Sequence, residues 1–149
     1  MKLTPYLLIA GAFIGIGDTL FLSYYQYLNL LPSCAIGGCE IVLTHELSKF
    51  FGVPLSYIGL VYYLYMLGLA FLLSIDPYSK GMRLGVLLYT GIGFGLSIVF
   101  ELLQFFVIGA MCLYCGISAV TTLFLFVVAL RHFVTTRVPQ VDYQQTLTR

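Results

Sequence analysis

Residues 54–75 read PLSYIGLVYYLYMLGLAFLLSI, 22 positions without a single charge. A helix of about 20 apolar residues crosses the hydrocarbon core of a bilayer. In lipid every backbone N–H and C=O must be paired within the segment, so a run like this is helical. Pro54 suits a first turn, where its missing N–H costs nothing, and Asp76-Pro77 closes the run. Working outward, three more stretches have the same character: about Pro5 to Leu30, about Leu84 to Ile108 with Gly109 as its stop, and Cys112 to Val134. The whole chain of 149 residues is 60% hydrophobic and only 9% charged, with mean hydropathy +1.00. A soluble domain carries roughly 25% charged residues, so this chain cannot clothe a water-facing surface. The expected fold is an all-α integral membrane protein, a four-transmembrane-helix up-down bundle over residues 1–134. Residues 135–149 follow as a short polar cytoplasmic tail. The first run, about 26 residues, is too long for the roughly 7–15-residue core of a cleaved signal peptide. A net charge of +1 with no basic cluster argues against nucleic-acid binding.

Lysine and arginine orient the bundle. Lys2, Lys80, Arg83, Arg131, Arg137 and Arg149 fall on one side, and only Lys49 on the other. Both termini are therefore expected in the cytoplasm, and the loop 31–53 and the turn 109–111 outside. Small residues let helices approach in lipid, and Gly11-x-x-x-Gly15 and Gly91-x-x-x-Gly95 are read as contacts inside the bundle. Two acids interrupt the spans. Ionisable groups there are costly and face the interior or water. Glu101 reads either as a polar contact near a cofactor headgroup or proton path, or as a buried, hydrogen-bonded acid. Asp18 carries the same two readings, and near mid-membrane the acid bonded to a neighbouring helix is the favoured one.

All four cysteines, Cys34, Cys39, Cys112 and Cys115, lie on the expected outer side, the compartment where disulfides persist. Cys112-Leu113-Tyr114-Cys115 opens the fourth span, where the positive end of the helix dipole favours thiolate. A lipid-soluble reactant can reach that position from the side. Cys34 and Cys39 flank two glycines, which allow tight turns and leave a mobile pair. Exchange runs by thiolate attack through mixed disulfides, so two pairs on one face read as an electron relay. Two static staples, or a four-cysteine zinc site, are the alternatives. A structural membrane protein would have cysteines that never cycle. A transporter of reducing power would need cysteines reachable from the cytoplasm, and the charge asymmetry places none there.

The ordered motifs resemble the bacterial branch of the vitamin K epoxide reductase family. They are Cys34 and Cys39 in the first loop, Glu40-Ile41-Val42-Leu43, Phe51-Gly52-Val53-Pro54-Leu55-Ser56 with Gly59, and Phe106-Val107-Ile108-Gly109-Ala110 leading into Cys112-x-x-Cys115. The unrelated DsbB-type quinone reductases have the reverse order, with C-x-x-C in the first loop. The resemblance implies a membrane protein:disulfide oxidoreductase that reoxidises a DsbA-like periplasmic thioredoxin-fold partner and reduces a membrane quinone, ubiquinone or menaquinone. It implies that Cys34 exchanges with the partner, Cys39 passes electrons to Cys112, and Cys115 is the thiolate facing the quinone. Ser56 resembles a polar residue near that thiolate. Phe100, Phe105 and Phe106 are candidate pocket walls, and Gln104 and Glu101 candidate polar contacts to the quinone. Some members carry a fused thioredoxin-like domain; here the partner is expected to be separate. His45 and Leu47 depart from the residue types expected there. Ala119 stands where the animal enzymes resemble one another in a tyrosine, which argues against vitamin K epoxide itself as substrate.

Overall fold

The structure, a computed structural model, describes residues 3–33 and 37–135, with the side chain of Leu47 excepted. Cys34 and residues 136–149 of the expected tail lie outside the described residues. Four helices are long and apolar enough to cross a membrane. They are α1 (Leu3–Tyr27), α3 (Leu55–Ile75), α4 (Lys80–Leu103, extended by a π turn at Gln104–Ile108) and α5 (Leu113–Thr135). The short α2 (Cys39–Thr44), a 3₁₀ turn at Glu46–Ser48 and a hairpin of β1 (Lys49–Phe50) with β2 (Val53–Pro54) fill the loop between α1 and α3. The protein is an all-α membrane bundle, as the unbroken apolar runs require.

The four spans form a ring in chain order. α1 packs on α3 and α5, and α4 on α5 and more lightly on α3. The glycines of α1 face inward. A Cβ on Gly11 would lie 2.8 Å from the Leu125 side chain, and one on Gly15 would lie 2.2 Å from the Tyr63 ring. In α4 the reading holds only in part, because a Cβ on Gly91 would lie 3.4 Å from the Phe126 ring while one on Gly95 would meet nothing within 4 Å. The Tyr63 hydroxyl donates to the Ser118 carbonyl at 3.0 Å, and Thr122 donates to Ser97 at 3.1 Å. Each such bond between helices contributes about 0.6–2 kcal/mol in lipid. Exposed positions such as Phe13, Leu64, Ile92 and Val120 are apolar, which is the surface lipid requires.

Two boundaries differ from the hydropathy reading. α1 stops at Tyr27 although apolar residues continue to Leu31. Asn29 adopts φ 51°, Leu30 donates to the Tyr25 carbonyl at 3.0 Å and Asn29 to Gln26 at 3.1 Å. This is a Schellman cap, with asparagine in the left-handed position that glycine more often fills. α4 begins at Lys80, one turn before the first strongly apolar position.

Candidate redox site

Gly109 ends the π turn with φ 68°, and after Ala110, Met111 and Cys112 the chain enters α5 at Leu113. Cys112 caps that helix through its carbonyl, which accepts from the Gly116 N–H at 3.0 Å. Its own N–H donates to Gln104 Oε1 at 2.9 Å, and Gln104 is fully buried. The π turn widens the last coil of α4 and sets this amide beneath the cysteine motif. Cys112 and Cys115 are both free thiols. The Cys115 thiol donates to the Cys112 sulfur, and the N–H groups of Cys115 and Tyr114 add to it. Together they outweigh burial and hold Cys112, which precedes the span, down to about 7 from an ordinary 9.0. Cys112 therefore becomes thiolate as pH rises through about 7. Its contribution to the stability of the dithiol form is fully present above 9.0 and is lost as pH falls through about 7. The thiolate absorbance of the reduced protein should titrate with a midpoint near 7. In Cys115→Ala the donor is gone and the midpoint should move up. An unchanged midpoint would show that Cys115 does not set it.

Cys39 reaches the same place from the loop. Gly38 precedes α2 with φ 93°, and a Cβ on it would stand 2.8 Å from the Met111 carbonyl oxygen. Only glycine fits both that conformation and that approach. The contact lays the first turn of α2 against the entry to α5, so Cys39 and Val42 pack with Cys112 in one buried cluster. Cys39 is disulfide-bonded, and neither sulfur of the C-x-x-C is its partner. The glycine pair thus does more than confer mobility: Gly37 is open, while Gly38 is a docking point.

On the other side of α5 lies a cavity of about 200 Å³. Asp18 and Gln26 come from α1, Ser56, Tyr62 and Tyr63 from α3, Phe100 and Glu101 from α4, and Cys115 and Ser118 from α5. Val42, Leu43 and Ser48 of the loop also line it, so the loop covers part of the cavity. An apolar cavity of about 150 Å³ holds a benzene ring, so this one admits a single quinone-sized ring. The wall is mostly apolar, yet Asp18 Oδ2 and the Tyr62 hydroxyl are buried in it with no hydrogen-bond partner. Buried polar atoms are almost always paired, and two orphans in the wall of one cavity fit a ligand bearing oxygen at its ring.

Cys115, Ser56 and Glu101 are brought together at the cavity, with Ser56 also donating to Gln26. Phe105 and Gln104 are not on its wall. Phe105 and Phe106 project outward, 61% and 75% exposed, and Phe100 alone of the three lines the space. Gln104 lies behind the cysteines and spends its oxygen on the Cys112 amide. Of the two readings of Asp18, a polar contact at the cavity fits better than a bond to a neighbouring helix, since it lines the cavity and its Oδ2 has no partner. Tyr62 was not singled out in the sequence. The signal available was a hydroxyl at mid-span, but neighbouring tyrosines Tyr63 and Tyr65 share it.

The sequence model of the Vitamin K epoxide reductase family matches residues 6–130. That stretch takes in all four spans and the capping loop. No curated protein matches the chain.

Proposed function

The chain belongs to the vitamin K epoxide reductase family, whose members are membrane oxidoreductases using quinones as electron acceptors; from that premise we propose that it carries electrons from a periplasmic thioredoxin-fold dithiol to a membrane quinone. The observation that carries this is the two-sided C-x-x-C. Cys112 packs against Cys39, while Cys115 opens onto the cavity.

A thiolate of the reduced partner, a DsbA-like protein, attacks the Cys34–Cys39 disulfide. The partner leaves oxidised, and Cys34 and Cys39 become thiols. Cys39 as thiolate attacks Cys112 in the Cys112–Cys115 disulfide, forming Cys39–Cys112 and releasing Cys115 as thiolate. Cys34 then attacks Cys39, restoring the loop disulfide and leaving Cys112 and Cys115 reduced. In the reduced pair Cys115 donates to Cys112, so Cys112 is the resting thiolate and Cys115 becomes one only as that proton passes to Cys112. Reoxidation of this pair releases two electrons and two protons. A quinone, when bound, supplies the acceptor for both. Asp18, Tyr62, Ser56 and Glu101 line the cavity and would supply the polar contacts that hold such a ring. The loop over the cavity limits the access of water. A strongly oxidising partner couple lies near −120 mV, so its reoxidation requires an acceptor at least comparably oxidising, which a membrane quinone provides. The asymmetry of six cationic side chains against one supports an orientation with both termini in the cytoplasm and the cysteines outside.

Purified protein with added quinone and a reduced thioredoxin-fold partner tests the reading through quinone absorbance. Catalytic loss of quinone is expected. Folded protein with reducible cysteines and no turnover would favour static disulfides.

A further inference from the structure

The end of the bundle away from the cysteines carries an unmet demand for negative charge. α4 starts there with Ser79 at its cap, yet no side chain caps the helix and no acid occupies its first turn. Its first N–H groups therefore point outward with the positive end of the dipole. Arg83 runs back to this start, with Nε donating to the Ser79 carbonyl at 3.4 Å. The residue is only 4% exposed, and its Nη1 is buried without a partner. His132, in the last turn of α5 and 8% exposed, lies within the field of the Arg83 charge. The exposed cations Lys80 and Arg131 flank the pair. Among the described residues, the acid of this end is Asp76, which is exposed and accepts from the Tyr78 N–H at 3.3 Å. A buried guanidinium with an unused donor is costly unless an anion meets it.

We propose that the α4 N-terminus, Arg83 and His132 form a binding site for the phosphate of an anionic lipid headgroup. Phosphate suits a helix start together with an arginine fork. The site lies one turn inside the end of a membrane span, the depth of the headgroups. Tyr78, 65% exposed beside it, is the amphipathic residue expected at that interface. A lipid phosphate arrives along the bilayer, whereas a free one must leave water to reach a largely buried guanidinium. Net-anionic lipids are favoured because a choline headgroup would bring a further cation beside Arg83, Lys80 and Arg131.

The test is thermal unfolding of the full chain in detergent, titrated with phosphatidylglycerol, phosphatidylcholine or inorganic phosphate. Phosphatidylglycerol is expected to raise the midpoint saturably, the other two far less. Arg83→Gln should weaken the half-saturating lipid concentration about tenfold or more. Arg131→Gln, an exposed charge, should leave it within about twofold. An equal response of Arg83→Gln and the native chain would overturn the site. An equal response to inorganic phosphate would overturn the lipid as its source, and one to phosphatidylcholine the charge selectivity. Should Arg83→Gln not fold, the three-ligand comparison on the native chain and on His132→Gln decides. The readout does not involve electron transfer, so this proposal and the redox reading can fail separately.

Discussion

Cys115→Ser is expected to abolish quinone reduction, by about a thousandfold or more. Cys115 lines the cavity, and Cys112 does not. The change removes the cysteine sulfur that lines the cavity and with it the disulfide that, in the proposed relay, forms as electrons leave. Serine keeps the O–H that donates to Cys112, so the local fold is preserved and the loss is chemical. A hydroxyl cannot form the disulfide, and removing a nucleophile that acts as a unit with its neighbours costs many orders of magnitude. Steady-state quinone absorbance with a small dithiol as donor measures it without the loop pair. A rate within tenfold of the native chain would remove Cys115 from the role.

Gly38→Ala should sever the loop from the inner pair while leaving that pair competent. The new methyl would enter a left-handed conformation at φ 93°, which costs an L residue about 1–2 kcal/mol. It would also press to 2.8 Å from the Met111 carbonyl, a backbone atom held by the turn into α5. The relief open to it is to move α2, and Cys39 with it, away from Cys112. A misplacement of about 1 Å costs about a hundredfold in a geometry-dependent step. Quinone reduction driven by the protein partner should fall about a hundredfold. Turnover driven by a small dithiol that reduces Cys112–Cys115 directly should stay near native. Gly37→Ala, which meets nothing within 4 Å although φ is 69°, should lose much less. Equal losses in both variants would mean that strain in the turn, not contact with Met111, governs the transfer.

The spans are legible because lipid imposes one requirement, paired backbone and apolar surface, that a run such as residues 54–75 meets on its face. Their ends are less so. Nothing in the apolar pattern marks Tyr27 as the close of α1; the stop comes from Asn29 in a left-handed conformation. In the hairpin, Phe51 and Gly52 both have positive φ. Gly52 announces such a turn, but phenylalanine does not, and the register follows from the pair. The π turn that seats Gln104 has no sequence signature at all. At the site, the C-x-x-C and its helix start are visible as chemistry. Which sulfur faces the loop and which the cavity depends on helix rotation, settled by packing against Val42 and Phe100. Gln104 and Glu101 look alike in the sequence, two polar residues three apart near a span end. One turns behind the cysteines and the other into the cavity. Asp18 and Tyr62 share that ambiguity, because only the surrounding helices decide whether a mid-span polar atom finds a partner.

The transfer between the two pairs is tested most directly by a Cys34→Ser, Cys115→Ser double variant, which leaves one thiol in each pair. Non-reducing digestion and mass spectrometry of the membrane-extracted protein would show which sulfurs are joined. A Cys39–Cys112 disulfide formed without added crosslinker is the expected result, since the two residues share one buried cluster. Two free thiols in folded protein, under oxidising conditions that form the native disulfides in the parent chain, would contradict a relay through Cys112.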